Sequence, residues 1–160
     1  MLKNVINAVA AAAAALSVSS VALGAEDAAA FVGEWHWNKA ESSVIPGEPL
    51  PREVVLRIAS ATPAHVQWTL TRTDADGSQH TESFSGSGGG QPGPITGAPD
   101  TTGAFTVNAT ALEASYQSKD GSTDRTSCTL ASDRRKMTCR GTESDGKGHS
   151  MNYVDVYDRR

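Results

Sequence analysis

Apolar and polar residues alternate along most of the chain with the period of two that is typical of a β-strand. The clearest case is 64–73, where Val66, Trp68 and Leu70 alternate with polar residues. The pattern predicts about nine short strands and no helix after the N-terminal region. These predicted strands are 31–38, 52–59, 64–73, 78–85, 104–108, 112–118, 122–131, 136–143 and 149–158.

Asp-Gly pairs separate several of these predicted strands. Both residues tolerate the positive φ of a tight hairpin turn, so such a pair between strand-forming segments is a strong hairpin signal. The pairs are Asp76-Gly77, Asp120-Gly121 and Asp145-Gly146. We therefore predict an all-β fold, an antiparallel up-and-down meander of about 8–9 strands closed into a barrel, because closure removes exposed strand edges. A two-sheet sandwich is the alternative. In the predicted meander, counting strands places the first and last Asp-Gly turns at opposite ends of the barrel.

The segment 86–103 shows the least regular pattern. It contains Gly88-Gly89-Gly90 and prolines at positions 92, 94 and 99. It lacks the Lys-Ser or Lys-Thr ending of a phosphate-binding loop. We predict a flexible connector over the Gly-rich stretch 85–93, with the next strand beginning at residue 104.

The N-terminal region has the features of a secretory signal peptide. Lys3 precedes an Ala-rich apolar run over 5–23, and small residues follow up to Ala25. This arrangement predicts a signal peptide over 1–25 and a single barrel domain over 26–160. A membrane anchor is the less favoured alternative, because alanine is only weakly apolar. The protein is therefore expected to be exported, to the periplasm or the extracellular space.

The charge distribution argues against nucleic acid as a partner. The chain has a formal net charge of −4 at pH 7, and its one basic run covers 134–136. Proteins that bind nucleic acid usually carry a basic face. We predict no nucleic-acid partner and no membrane span after signal cleavage.

The cysteines are predicted to form a disulfide, as an even number in an exported chain favours. Cys128 and Cys139 lie on two predicted strands joined by a turn over 132–135. If the hairpin is symmetric about that turn, Cys128 faces Cys139 and Leu130 faces Met137. Two buried free thiols are the alternative.

The first predicted strand carries Gly33-x-Trp35, and a turn of the form Asn38-x-Ala40-x-Ser42 follows it. Further motifs lie in order at 73–77, 94–100, 116–121, 141–147 and 153–157. Together these motifs resemble a family of small bacterial secreted proteins that is described as lipocalin-like, with no established biochemical function. The resemblance implies that the predicted barrel is lipocalin-like. Gly33-x-Trp35 is also similar to the first strand of lipocalins, where the tryptophan closes one barrel end beneath a late arginine. The resemblance implies that Arg140, Arg159 or Arg160 takes that position here.

Residues at alternating positions are candidates for lining a ligand cavity. They are Trp35, Trp37, Val66, Trp68, Leu70, His80, Glu82, Phe84, Phe105 and Tyr116, with His80 and Glu82 as a possible polar anchor. The same side chains could fill a small barrel solidly, because an eight-stranded barrel has little interior space. No nucleophile motif or metal-ligand spacing is present, so we predict no catalytic residue, no metal site and no cofactor.

The function predicted from the sequence is a non-enzymatic binding module for a small, largely apolar ligand. The alternative is a solid-cored structural or protein-interaction barrel without a small-molecule ligand.

Overall fold

The computed structural model describes residues 28–43 and 49–160, so the predicted signal peptide over 1–25 lies outside the described residues. The described chain forms ten β-strands. They are β1 (Gly33–Trp37), β2 (Glu53–Ala61), β3 (Val66–Thr73), β4 (Gln79–Gly86), β5 (Gly93–Ile95), β6 (Ala98–Val107), β7 (Leu112–Ser118), β8 (Thr123–Leu130), β9 (Lys136–Ser144) and β10 (Ser150–Arg159).

All ten strands belong to one antiparallel sheet with the order β4-β3-β2-β1-β10-β9-β8-β7-β6-β5. The first and last strands in the chain pair with each other, with Trp35 opposite Arg159. The outer strands β4 and β5 meet through a bridge in which Ser83 and Thr96 exchange two backbone hydrogen bonds of 2.9 Å. The sheet is therefore a nearly closed up-and-down barrel, which confirms the predicted fold class.

Strand β5 corrects the prediction of an irregular segment over 86–103. Gly93 pairs with Gly103 and Ile95 pairs with Ala98, so β6 also begins earlier than the pattern indicated. This additional strand reverses the direction of every later strand relative to the predicted count. Because neighbouring strands are antiparallel, the three Asp-Gly turns lie at the same end of the barrel. The prediction that the first and last of them lie at opposite ends was wrong.

We call the end with the Asp-Gly turns the open end and the opposite end the closed end. Trp35 is fully buried at the closed end, and its indole N–H donates to the carbonyl of Phe31 at 2.9 Å. The guanidinium carbon of Arg159 lies 4.3 Å from the centroid of the Trp35 ring. The same guanidinium donates to the carbonyls of Val32, at 3.1 Å, and Ala30. Of the three arginines that the resemblance suggested, Arg159 is the one that covers the tryptophan.

The hairpin of β8 and β9 has the predicted register. Cys128 pairs with Cys139, and Leu130 pairs with Met137. The two cysteines form a disulfide with their Cα atoms 3.9 Å apart, and both lie on the inward face. The predicted disulfide is confirmed. Disulfides are typical of proteins in oxidising compartments.

Candidate functional site

The barrel interior contains a cavity. Several inward-facing positions carry glycine, and aromatic rings lie against the backbone of these glycines, close to the barrel wall and away from the centre. A Cβ atom on Gly103 would lie 2.9 Å from the Phe105 ring, and one on Gly141 would overlap the Tyr153 ring. Any larger residue at these positions would push the rings into the interior. The alternation of strand side chains thus produces a lined space rather than a solid interior in this part of the barrel.

The cavity has a volume of about 350 Å³. Ligand cavities in proteins usually have volumes of roughly 300–1,000 Å³, so this one suits a small molecule. One half of its wall is apolar and is formed by Leu56, Ile58, Trp68, Leu70, Ile95, Phe105 and the disulfide.

Aromatic contacts hold the apolar half in place. The Phe105 ring lies centrally, with ring centroids 5.8 Å from Trp68, 4.4 Å from Phe84 and 5.7 Å from Tyr116. Trp68 and Tyr116 meet it edge to face, a favourable arrangement for aromatic pairs. This half of the cavity is therefore a packed apolar surface.

The other half of the wall is polar and is formed mainly by β7, β8 and β10. Asp124 on β8 accepts a hydrogen bond from the Tyr153 hydroxyl, whose oxygen lies 2.8 and 2.9 Å from the two carboxylate oxygens. Asp155 on β10 accepts one from the indole N–H of Trp37 at 2.8 Å. Tyr116 pairs with Asp124 across β7 and β8. We call the set Asp124, Tyr153 and Asp155 the polar strip.

The position of Tyr153 depends on Gly141. Tyr153 and Asp124 lie on strands that are separated by β9, so the Tyr153 ring must cross that strand to reach the carboxylate. Gly141 pairs directly with Tyr153, and its lack of a side chain leaves the space through which the ring passes. The polar strip therefore depends on Gly141 in the intervening strand β9.

A second cavity of about 280 Å³ lies towards the open end. It shares Leu70, Tyr157 and the polar strip with the first cavity, so the two adjoin. Its outer wall includes residues 49–51 of the connector between β1 and β2. Arg72 donates to Asp74 at 2.7 Å and to the carbonyl of Pro49 at 3.2 Å, which ties this connector to β3.

Burial perturbs the titration of the polar strip. Desolvation raises the pKa of Asp124, opposed by the hydrogen bond from Tyr153 and assisted by the charge of Asp155. Desolvation also raises the pKa of Asp155, opposed by the hydrogen bond from Trp37. In the described part of the chain neither carboxylate forms an ion pair with a basic side chain. Their ionised forms are therefore incompletely compensated by the protein itself.

The predicted cavity residues divide into two groups. Trp68, Leu70, Glu82, Phe105 and Tyr116 line the larger cavity, and Trp37 and Leu70 line the smaller one. The remaining candidates lie elsewhere: Trp35 in the closed end, Val66 and Phe84 in the packed core, and His80 at the open end, where it pairs with Asp74 at 3.2 Å. His80 and Glu82 share one face of β4, and of the two only Glu82 lines the larger cavity.

The sequence patterns did not indicate Asp124, Tyr153, Asp155 or Tyr157 as cavity residues. A usable signal exists on β10, where Tyr153, Asp155 and Tyr157 alternate with valines. Hydrophobicity alone places the valines inward. The structure turns them outward, because Ser42 and Ser43 cover that side and bond to the backbone of Val154 and Val156.

The fold and the site together define a class: a small antiparallel barrel with an interior cavity that is apolar on one side and acidic on the other. No protein-family model matches the chain. No curated protein matches it either. A solved structure of EF1p2_mFAP2b bound to DFHBI is similar, with 12% sequence identity and a TM-score of 0.45, over 85% of this chain and 99% of that chain. Within the described residues, no helix is long and apolar enough to cross a membrane.

Proposed function

We propose that this protein is a non-enzymatic binding module that holds a small, largely apolar molecule inside the barrel. The observation that carries the proposal is the cavity of about 350 Å³ with one preformed aromatic and aliphatic wall. Burying apolar ligand surface against such a wall is the main source of affinity in small-molecule sites. The polar strip at the other side would orient the ligand.

The adjoining cavity supports a route for entry from the open end. Leu70 borders both cavities, so a side chain at this position controls the space between them. Among the described residues, Phe31 and Trp35 fill the closed end, and Arg159 covers Trp35 there. We propose that the ligand enters between the Asp-Gly turns and the connector at residues 49–51.

The neutral aromatic probe N-phenyl-1-naphthylamine tests the proposal. Its emission should rise saturably on titration of the purified protein, with one site per chain. Leu70→Trp fills the space that both cavities share and should weaken the binding strongly. Thr71→Trp adds the same side chain on the outward face of β3 and should leave it unchanged. Binding that is equal in both variants would place the probe outside the barrel and overturn the proposal.

We further propose that the protein is exported, to the periplasm or beyond the cell. The disulfide supports this proposal, since such bonds persist in oxidising compartments. The signal-peptide pattern of 1–25 is the second support. N-terminal sequencing of the exported protein should begin at Ala25 or Glu26. Exported material that still begins at Met1 would contradict the predicted cleavage.

A further inference from the structure

The two carboxylates of the polar strip receive only neutral donors from the side chains around them. The Tyr153 hydroxyl donates to Asp124, and the Trp37 indole donates to Asp155. A carboxylate can accept up to about four hydrogen bonds, so both groups retain unused capacity. Among the described residues that line the two cavities, Arg72 is the one basic side chain, and its Nε atom is bound to Asp74.

These two carboxylates border both cavities, so any molecule that fills the interior meets them. Their negative charges lie close enough for Asp155 to disfavour ionisation of Asp124. A positive charge at this position would relieve the repulsion and replace part of the lost hydration of both groups. A second anion would have the opposite effect.

Aromatic rings surround the same position. Trp37, Tyr153 and Tyr157 line the smaller cavity beside the carboxylates, and Tyr116 lines the larger one. Aromatic faces attract organic cations, and carboxylates pair with ammonium groups through charge-assisted hydrogen bonds. An apolar wall next to these groups suits an organic cation, because the body attached to the ammonium group then has surface to bury.

The apolar half also contains an unused donor. Trp68 is 6% exposed and lines the cavity, and its indole N–H has no acceptor in the described part of the chain. Buried donors in proteins normally find a partner, so an unpaired one on a cavity wall is consistent with a ligand that completes the site.

We propose that the barrel binds an organic cation, with a protonated amine facing Asp124 and Asp155 and an apolar or aromatic body against Trp68 and Phe105. This inference rests on the proposed function and specifies the chemical class of its ligand. The preference for a cation comes from the two carboxylates, and the affinity for the body comes from the aromatic wall.

Three probes with one body and different head groups test the inference: 2-(2-naphthyl)ethylamine, 2-(2-naphthyl)ethanol and 3-(2-naphthyl)propanoate, measured by isothermal titration calorimetry at pH 7. The amine should bind at least roughly tenfold more tightly than the alcohol, because a hydrogen bond to a charged group contributes a factor of about that size or larger. The propanoate should bind most weakly. Equal affinity for amine and alcohol would overturn the cation inference and leave the proposed function intact.

Asparagine variants locate the source of the preference. Asp124→Asn and Asp155→Asn keep the hydrogen-bond acceptors for Tyr153 and Trp37 but remove the charge. Each should reduce the ratio of amine to alcohol affinity, because the charge that favours the amine is removed. Asp133→Asn is the matched control, because Asp133 lies in the β8–β9 turn at the closed end and its loss changes the net charge equally.

The outcomes separate the two proposals. If N-phenyl-1-naphthylamine binds but the naphthyl amine binds no more tightly than the naphthyl alcohol, the cation inference is wrong. If no probe binds saturably, both the inference and the proposed function fail. If the amine preference persists in both asparagine variants, the preference comes from elsewhere on the protein and the inference is overturned. The preference of the unmodified protein is measured without any variant, so the test does not depend on the variants folding.

Discussion

Replacing Gly141 by alanine should disrupt the polar strip without touching any polar atom. A Cβ atom at this position would lie 2.5 Å from Cε1 of Tyr153 and closer still to the end of the ring. The ring must therefore move, and the Tyr153 hydroxyl then loses its hydrogen bond to the Asp124 carboxylate. Hydrogen bonds to charged groups contribute about 1.5–3 kcal/mol, and the partial exposure of this pair favours the lower part of that range. We expect a loss of about 2 kcal/mol in the free energy of unfolding.

The reasoning is tested by combining Gly141→Ala with changes at Tyr153. In a Tyr153→Ala background no ring remains to be displaced, so Gly141→Ala should be neutral or stabilise by about 0.5 kcal/mol, as expected for alanine replacing glycine within a strand. Tyr153→Phe keeps the ring but removes the hydroxyl. It should cost most of what Gly141→Ala costs.

Urea unfolding followed by far-ultraviolet circular dichroism measures all of these variants. The double-mutant cycle of Gly141→Ala and Tyr153→Ala should give a coupling free energy of about 2 kcal/mol. The same loss for Gly141→Ala in both backgrounds would refute the reasoning. It would mean that the glycine is needed for the backbone of β9 and not for the passage of the Tyr153 ring.

Three further predictions concern the disulfide, the acidic interior and the closed end. Denatured, unreduced protein should show no free thiol, and reducing the bond between Cys128 and Cys139 should lower the free energy of unfolding by about 3 kcal/mol, from the chain entropy of a loop with a sequence separation of 11. Asp155→Asn should be more stabilising at pH 7 than at pH 4 in thermal unfolding, because burial raises the pKa of Asp155. Arg159→Met should cost about 1–2 kcal/mol in urea unfolding by removing the contact with Trp35 and two backbone hydrogen bonds, and Arg159→Lys should restore only part of the loss.

The sign of the Asp155 prediction follows from proton linkage. A carboxyl with a raised pKa in the native state binds a proton more readily in the folded protein than in the unfolded chain. Its stabilising effect is therefore greatest at low pH and is lost as the pH rises through the folded-state pKa. Asparagine cannot ionise, so the variant avoids the penalty at neutral pH. A variant that is equally destabilised at both pH values would show that Asp155 is compensated by its surroundings.

Local chemistry explains why the hairpins and the disulfide could be predicted from the sequence. Each Asp-Gly turn depends on two adjacent residues, and Gly77, Gly121 and Gly146 all have positive φ, of 89°, 91° and 69°. The register of β8 and β9 follows from a short turn and from strict alternation, so Cys128 and Cys139 could be paired by counting. These features need no information from distant parts of the chain.

Strand β5 could not be predicted in the same way. Its sequence is Gly93-Pro94-Ile95, which lacks the alternating β-branched and aromatic residues that mark a strand. It forms because β6 and β4 lie on either side, and the bridge from Thr96 to Ser83 closes the barrel there. Tertiary pairing overrides local propensity at this point, and the direction of each later strand depends on it.

The candidate site shows a similar division between local and tertiary signals. The period of two predicts that Trp68, Leu70 and Phe105 face inward, and these residues of β3 and β6 lie on the wall of the larger cavity. On β10 the period of two assigns the valines, and not Tyr153, Asp155 and Tyr157, to the cavity face. It does so because Val156 is also buried, beneath the segment that follows β1. Two buried faces on one strand remove the contrast on which the pattern depends.

One substitution, Asp155→Asn, distinguishes a structural role of the acidic interior from a binding role when both stability and ligand preference are measured. Carboxylates that support a fold are paired or hydrogen-bonded so that neutralising them destabilises the protein. Asp155 has a raised pKa, which is the sign expected when ionisation opposes folding. If Asp155 serves binding, Asp155→Asn should raise stability at neutral pH and lower the preference for the naphthyl amine, so the two quantities change in opposite directions. A structural role requires both stability and binding to fall together. Opposite changes would show that the barrel retains a charge that its own stability does not need.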